Sequence, residues 1–262
     1  MIALASGAGR LLNRLRSDPH SGASAVDLRA AGDRTSQEWL AAELKHRHPD
    51  DAVLSEEAPD DLARLDANRV WIIDPLDGTR EFSERGDDGT WRTDWAVHVA
   101  LWERGRGLVA GAVGMPARGS ILHTGDGHPV APTEVWDGSR PLRLAVSRTR
   151  PPALVDAIAA RHEVELVPMG SAGIKAMAVV SGEVDAYLHG GGQYEWDSAA
   201  PVAVARSAGL HTSRLDGSEL EYNQPNPWLP DLAICPPALW PMLSEWIADA
   251  GPYVKSASGS DA

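Results

Sequence analysis

Cysteine, positive charge and long apolar runs are scarce in this sequence of 262 residues, and each scarcity excludes a class of protein. Cys235 is the only cysteine, so an intrachain disulfide cannot form and a reducing compartment is expected. No uninterrupted apolar run approaches the roughly 20 residues that span a bilayer, and the first residues lack the apolar core of a signal peptide. With 43% hydrophobic residues, the chain is predicted to be a soluble, cytoplasmic globular protein.

The scarcity of positive charge limits the partners that the chain can bind. The sequence has 24 Lys and Arg residues against 37 Asp and Glu residues, and its formal net charge is −13 at pH 7. Because nucleic-acid backbones require clustered Lys and Arg, this balance argues against nucleic-acid binding. An acidic enzyme that acts on anionic substrates must bring its own positive charge, and a bound metal ion is one way to do so.

What the sequence does contain is organised around residues 70–79, Val-Trp-Ile-Ile-Asp-Pro-Leu-Asp-Gly-Thr. The four apolar residues predict a buried strand, which the proline ends because it lacks a backbone N–H. Asp74 and Asp77 then lie at the carboxyl end of the strand, where α/β sheets commonly bind ligands. Paired carboxylates suit Mg²⁺, and the amides and hydroxyl of Gly78 and Thr79 suit a phosphate. The alternative is an ordinary surface turn, which we would prefer for Asp-Gly-Thr alone but not for the whole stretch.

Apolar spacing and the positions of Gly and Pro predict further elements on both sides of this stretch. The predicted helices cover residues 2–16, 35–46, 151–161, 174–180, 198–209 and 236–247. The predicted strands cover residues 52–57, 95–102, 108–113, 142–146, 163–168, 184–188 and 232–235. The Pro- and Gly-rich stretch 125–141 is expected to separate an N-terminal α+β half, 1–130, from a C-terminal α/β half, 131–262.

Several polar residues allow two interpretations from the sequence alone. Asp33 lies just before the second predicted helix, where an Asp side chain is favoured as the N-cap residue. Glu56 and Glu57 end a strand, where an acidic pair is usually a solvated surface feature. The charged segment 84–94 is expected to be a flexible insertion over the cleft with solvated acids. His98, between two valines, is predicted to be a packed strand residue rather than a metal ligand.

Residues 70–79 closely resemble the W-x-x-D-P-[LI]-D-G-T signature of the lithium-sensitive, Mg²⁺-dependent sugar and nucleotide phosphatases, the inositol monophosphatase superfamily. Trp196-Asp197 before Ser-Ala-Ala resembles the second hallmark of that superfamily. Residues 170–175, Gly-Ser-Ala-Gly-Ile-Lys, resemble the substrate loop of its 3′-phosphoadenosine 5′-phosphate (PAP) phosphatases, the CysQ-type nucleotidases. Residues 147–150 resemble their Ser-Arg-x-His motif, with Arg150 in place of His. The resemblance covers most of the chain from Asp33 onward and implies a layered α-β-α-β-α sandwich.

The resemblance also implies roles for individual residues. The implied metal ligands are Glu56, Asp74, Asp77, Asp197 and the Leu76 carbonyl, an all-oxygen set that suits Mg²⁺ and not Zn²⁺. Two or three ions are expected, with Mn²⁺ as an alternative and Li⁺ as an inhibitor. Asp33 and Thr79 are expected to orient and deprotonate the attacking water. The implied substrate contacts are Glu56, Leu76, Asp77, Gly78, Thr79, Ser147, Arg150, Gly170, Ser171, Lys175 and Asp197.

The first functional hypothesis is removal of the 3′-phosphate from PAP to give AMP, an activity that supports sulfate assimilation. Inositol 1-phosphate or fructose 1,6-bisphosphate is the alternative substrate for the same chemistry. A catalytically silent ligand-binding relative is disfavoured because every ligand position carries an acid, and a purely structural protein is disfavoured because no repeats are present. The expected partner is a small phosphate ester, with no nucleic acid and no membrane, and a homodimer is left open.

Overall fold

Two five-stranded β-sheets alternate with three layers of helices in an α-β-α-β-α sandwich, which confirms the predicted fold class. The computed structural model describes residues 1–18, 24–125 and 135–251. None of the helices within these ranges combines the length and the apolar character that crossing a membrane requires.

The first sheet has the strand order β1-β2-β3-β4-β5, and only β1 and β2 run parallel. Its strands are β1 (Ala52–Ser55), β2 (Arg69–Asp77), β3 (Ala96–Glu103), β4 (Gly107–Met115) and β5 (Ser120–His123). The helices of this part are α1 (Ile2–Ser17), α2 (Ala25–Arg47) and the short α3 (Thr79–Ser83). Helices α1 and α2 pack against each other and cover the outer face of the sheet.

The second sheet has the strand order β7-β6-β8-β10-β9, in which β6 runs parallel to β7 and β8. Its strands are β6 (Leu142–Ser147), β7 (Val164–Met169), β8 (Ala186–Tyr194), β9 (His211–Ser213) and β10 (Trp228–Cys235). Helices α5 (Ala172–Val180) and α6 (Glu195–Ser207) lie between the two sheets, whereas α4 (Ala153–Ala159) and α7 (Trp240–Ala250) cover the outer face.

Strand β2 is buried on both faces, as its apolar run predicts. Val70 and Ile72 point into the central core with α5 and α6, and Trp71 and Ile73 point into the outer core with α1 and α2. This division follows from the alternation of side chains along a strand. The burial of both faces fixes the strand, and its carboxyl end therefore has a defined place in the fold.

Helix α2 begins ten residues before the predicted helix, which makes the prediction of Asp33 as an N-cap wrong. Ser24 is the N-cap, and its hydroxyl accepts the N–H of Asp27 while the Asp27 carboxylate accepts the N–H of Ser24. This capping box and the helix-favouring residues after it outweigh the helix-breaking tendency of Gly32. A Cβ at Gly32 would lie 2.9 Å from Leu76, so glycine permits α2 to approach the end of β2.

The other predicted elements are present with modest shifts at their ends. The largest difference is in β8, which continues past the predicted end at residue 188 to Tyr194. A bulge at Gly191 and Gly192, opposite β10, allows this continuation, and both glycines have positive φ. The predicted boundary between the halves, at residues 130 and 131, lies outside the described residues and stays a prediction.

The contact between β4 and α6 depends on a glycine. A Cβ at Gly111 would lie 2.8 Å from the Cβ of Ala203 and 2.9 Å from the Ala200 carbonyl oxygen. We predict that Gly111→Ala lowers the free energy of unfolding by about 1–3 kcal/mol, because α6 must move away from the sheet. Gly125→Ala is the control, since its Cβ would meet nothing closer than 3.4 Å, and its effect should stay within about 0.5 kcal/mol. Equal urea midpoints for Gly111→Ala and the wild type would contradict this packing argument.

Candidate active site

The Asp-Pro-Leu-Asp segment forms a kink at the end of β2 that directs both acids to one side of the sheet. Asp74 pairs with His98 of β3 and Asp77 pairs with Ala96, so one extra residue of β2 is accommodated between them. The prediction that Pro75 ends the strand is therefore wrong: β2 continues to Asp77, because the proline lies in this bulge, where a residue without an N–H is tolerated. The Leu76 N–H donates to Asp74 Oδ1 at 3.0 Å, and the Ser36 hydroxyl donates to the Pro75 carbonyl at 2.6 Å. These bonds hold the turn, and both carboxylates are buried.

Two further acids approach Asp74 from other elements. Glu56 directly follows β1, which runs parallel to β2 and ends at the same edge. Asp197 is the third residue of α6, and its Oδ2 accepts the Tyr194 N–H at 2.6 Å. Tyr194 is the N-cap of α6, and the Asp197 carboxylate caps the helix from within its first turn. The buried Glu195 carboxylate fixes this helix start by accepting the N–H groups of Asn223 and Gln224.

The ionisation of this cluster shows how poorly its negative charges are compensated. Burial, followed by repulsion from Asp197 and Asp77, raises the pKa of Glu56 to about 7. Burial and repulsion from Asp77 raise the pKa of Asp197 to about 6. Burial and the neighbouring acids raise the pKa of Asp74 well above its ordinary value. A hard divalent cation would remove this repulsion, so the carboxylates and the Leu76 carbonyl fit such an ion.

Asp77 differs from the other three acids because hydrogen bonds surround it. Burial alone would raise its pKa, but His98, the Ser171 hydroxyl and the Gly173 N–H outweigh burial and lower the pKa to about 2. His98 Nε2 lies 3.1 Å from Asp77 Oδ2, and His98 Nδ1 lies 3.0 Å from the Trp196 carbonyl oxygen. His98 is a packed strand residue, as predicted, but the sequence did not reveal its contact with Asp77. Asp74, Asp77 and His98 could together offer atoms to one ion.

The turn at residues 170–173 packs directly against Asp77. The Ser171 hydroxyl and the Gly173 N–H (2.7 Å) donate to Asp77 Oδ2, and the Ala172 N–H donates to Oδ1 at 3.1 Å. Ser171 has φ of 57°, a left-handed conformation that side chains other than glycine rarely adopt. A Cβ at Gly173 would lie 2.1 Å from His98 Nε2, so glycine is required for this close approach.

Thr79 and Asp33 meet beside the acidic cluster. Thr79 Oγ1 lies 3.2 Å from Asp33 Oδ1 and 3.1 Å from the Leu76 carbonyl oxygen. Burial, followed by repulsion from Glu57, raises the pKa of Asp33 to about 6. The preceding Gly78 has φ of 87°, and a Cβ there would lie 3.3 Å from Ser171. The structure thus brings residues from α2, β2 and the 170–173 turn into one cleft.

Three other residues predicted to contact the substrate lie at different depths. Lys175 is buried in α5, and its ammonium group donates to the Ser171 carbonyl at 2.6 Å, from beneath the turn. Ser147 lies at the end of β6, where its hydroxyl accepts the Arg150 N–H at 3.3 Å. Arg150 itself is exposed.

The prediction that the acids of segment 84–94 are all solvated is wrong for Asp94. Asp94 is buried, its carboxylate is paired with Arg148, and its Oδ2 accepts the Gly170 N–H at 2.6 Å. Burial opposes ionisation of Asp94, but Arg148 and the Gly170 N–H lower its pKa below the ordinary value. Its position was the available signal, because Asp94 lies two residues before the buried strand β3. Asp87 and Asp88 are exposed, as predicted.

The chain is similar to known proteins over most of its length. The profile of the inositol monophosphatase family matches residues 2–250. A 3′-phosphoadenosine 5′-phosphate phosphatase of Mycobacterium bovis is 53% identical over 230 residues, which cover 84% of this chain and 82% of the relative. The protein of that name from Mycobacterium leprae is 51% identical over 249 residues, covering 92% and 89%. The 3′(2′),5′-bisphosphate nucleotidase CysQ of Escherichia coli is 31% identical over 195 residues, covering 68% and 73%.

Solved structures show the same fold. CysQ from Bacteroides thetaiotaomicron superposes with a TM-score of 0.75 at 27% identity, covering 90% of this chain and 95% of that one. Inositol monophosphatase II from Staphylococcus aureus superposes with a TM-score of 0.76 at 20% identity, covering 94% of each chain.

The raised pKa values predict how the stability of the metal-free protein depends on pH. Between about pH 4 and pH 7 the folded state holds protons on Glu56, Asp197 and Asp33 that the unfolded chain has released. Stability should therefore fall as the pH rises through this window. Asp77, with its lowered pKa, acts in the opposite direction only below this window. We predict a lower melting temperature for the EDTA-treated protein at about pH 7.5 than at about pH 5.

A divalent cation should raise the melting temperature much more at the higher pH, because protons no longer compete for the carboxylates. Asp197→Asn removes one repelling charge and should flatten the pH dependence of the metal-free protein. A melting temperature that stays constant or rises from about pH 5 to pH 7.5 would contradict this description of the cluster.

Proposed function

Because the chain belongs to the inositol monophosphatase family, whose members are metal-dependent phosphatases, we propose that it hydrolyses the 3′-phosphate of PAP to AMP and phosphate. The observation that carries the proposal is the position of the Asp33–Thr79 pair beside four acids at the end of β2. The choice of PAP rests on the names of the relatives that are 51–53% identical. A role in sulfate assimilation follows from that choice.

Mg²⁺ is the ion that we propose for the acidic cluster. The proposed ligands all offer oxygen, and they are Glu56, Asp74, Asp77, Asp197 and the Leu76 carbonyl. When bound, the ion supplies positive charge for the phosphate oxygens and lowers the pKa of a water molecule. Two or three ions, Mn²⁺ as a substitute and inhibition by Li⁺ stay predictions from the sequence resemblance.

Asp33 and Thr79 are the proposed catalytic pair. With a pKa of about 6, Asp33 is mostly ionised at neutral pH and is still basic enough to accept a proton. The Thr79 hydroxyl can donate to Asp33 or to the Leu76 carbonyl, which leaves its lone pairs free to accept a hydrogen bond from water. The pair can therefore orient a water for in-line attack and take its proton.

The turn at 170–173 and the end of β6 form the proposed substrate side of the cleft. The small residues of the turn allow close approach of a phosphate, and Arg150 offers an exposed guanidinium beside Ser147. The proposed substrate contacts are Glu56, Leu76, Asp77, Gly78, Thr79, Ser147, Arg150, Gly170, Ser171 and Asp197. Lys175, which the sequence also predicts as a substrate contact, lies beneath the turn, and we propose that it acts through the Ser171 carbonyl. A cytoplasmic location and a homodimer stay predictions.

A substrate panel tests the proposed function directly. Phosphate release from PAP, inositol 1-phosphate and fructose 1,6-bisphosphate should be measured with Mg²⁺, and kcat/KM should be highest for PAP. Highest activity on a sugar phosphate would reassign the substrate, and no release from any of them would contradict phosphatase activity.

Asp197→Asn tests the metal ligands in the same assay. It should lower kcat/KM about 100-fold or more, because it removes a ligand charge while keeping the shape of the side chain. The metal-free variant should melt at the same temperature as the wild type or higher, since a repelling charge is gone. Asp216→Asn, in an exposed turn, is the control and should leave both values nearly unchanged. Equal losses of activity in the two variants would show that the acids of the site are misassigned.

Lys175→Met tests whether the buried ammonium group supports the turn. Because Lys175 donates to the Ser171 carbonyl, we predict about a tenfold fall in kcat/KM on PAP and on inositol 1-phosphate alike. Lys45→Met, the control, also removes one positive charge, here from the exposed face of α2, and should leave kcat/KM unchanged on both substrates. A fall confined to PAP would instead favour direct contact between Lys175 and a second phosphate.

A further inference from the structure

A partly buried ion pair crosses from the first sheet to the second beside the proposed phosphate turn. Asp94 lies two residues before β3 of the first sheet, and Arg148 directly follows β6 of the second. The Asp94 carboxylate is paired with the Arg148 guanidinium, and Asp94 Oδ2 also accepts the Gly170 N–H at 2.6 Å. One buried oxygen therefore holds both the arginine and the first residue of the 170–173 turn.

Further contacts hold Gly170 and Arg148 in place. Arg148 Nη1 lies 3.4 Å from Glu81 Oε1, and the Arg148 N–H donates to the Met169 carbonyl at 3.2 Å. The Glu81 side chain packs against Gly170 so closely that a Cβ at position 170 would lie 2.3 Å from Glu81 Cγ. Glu81 belongs to α3, which begins at Thr79, so the catalytic segment and the turn share these contacts.

The turn needs support of this kind because its backbone is strained. Ser171 has φ of 57°, an unfavourable conformation for a residue other than glycine, which persists only where its surroundings enforce it. On the C-terminal side, Lys175 binds the Ser171 carbonyl, and Asp77 binds the amides of Ala172 and Gly173. On the N-terminal side, the support comes from Asp94 through the Gly170 N–H.

We propose that Asp94 is a positioning residue, which through its bridge to Arg148 holds the 170–173 turn in the conformation that receives the substrate phosphate. Arg148 belongs to this bridge and does not contact the substrate, because one carboxylate already touches its guanidinium and a second lies 3.4 Å away. The inference rests on the proposed function, since it assigns the turn to phosphate binding.

A double-mutant cycle separates this role from a direct contact between Arg148 and substrate. The variants are Asp94→Asn, Arg148→Met and the double variant, with Asp87→Asn as a control for charge loss in the same segment, where Asp87 is exposed. Asn at position 94 keeps an oxygen for the Gly170 N–H and removes the charge that holds Arg148. The measurements are kcat, KM, the inhibition constant of inorganic phosphate, the Mg²⁺ concentration for half-maximal activity, and the melting temperature.

Both single variants should raise KM and the inhibition constant of phosphate in parallel by about tenfold, the scale of one charge-assisted hydrogen bond. The value of kcat should stay within about threefold, and the Mg²⁺ requirement should not change, because Asp94 contacts none of the proposed ligands. The double variant should be no worse than either single variant, because both remove the same bridge. Asp87→Asn should match the wild type.

Additive losses in the double variant would overturn the inference, because Arg148 would then act on the substrate independently of Asp94. A lowered melting temperature with unchanged KM and phosphate inhibition would show that the bridge only stabilises the fold, and this result would also overturn the inference. If Asp94→Asn does not fold, Arg148→Met tests the inference by the same measurements of KM and phosphate inhibition, because Arg148 is partly exposed and its replacement disturbs the core less. If the wild type hydrolyses no ester, the proposed function fails. The bridge can then still be tested by the phosphate concentration that gives half of the maximal rise in melting temperature, compared between the wild type and each variant.

Discussion

Repulsion among buried carboxylates is the constraint around which the structure is arranged. Burial raises the pKa values of Glu56, Asp74 and Asp197 at the end of β2, and repulsion from neighbouring acids, Asp77 in all three cases, raises them further, so their negative charges are only partly compensated by the protein. Asp77 is the exception, because His98 and the 170–173 turn stabilise its charge. The protein thus stabilises the charge of one acid by hydrogen bonds, whereas the charges of the other three are poorly compensated.

The fold was largely predictable from the sequence because its central strands, such as β2, are apolar runs and its turns are marked by Gly and Pro. The apolar run before Asp74 gave the position of β2, and the motif resemblance gave the layered architecture. Local patterns failed where a tertiary contact or a cap decided the outcome. The early start of α2 depends on the Ser24–Asp27 capping box, and the extension of β8 depends on a bulge that only its pairing with β10 reveals.

The site was predictable in its residue types but not in its contacts. The sequence indicated the acids after β2, yet it could not reveal that Lys175 supports the turn from beneath or that His98 reaches Asp77. Asp94 was misread because charge composition describes a segment as a whole, whereas burial is decided residue by residue. Each of these contacts joins residues far apart in the chain, and no local rule reports such pairs.

The position of α5 and α6 between the sheets has a consequence for the order of events during synthesis. When a growing chain has left the ribosome only as far as β5, the inner face of the first sheet, with Val70 and Ile72, has nothing to cover it. Glu56, Asp74 and Asp77 are already present, but the helix that carries Asp197 has yet to be made. The cluster of four acids is therefore complete only after translation has passed α6, and the first sheet must remain free of aggregation until then.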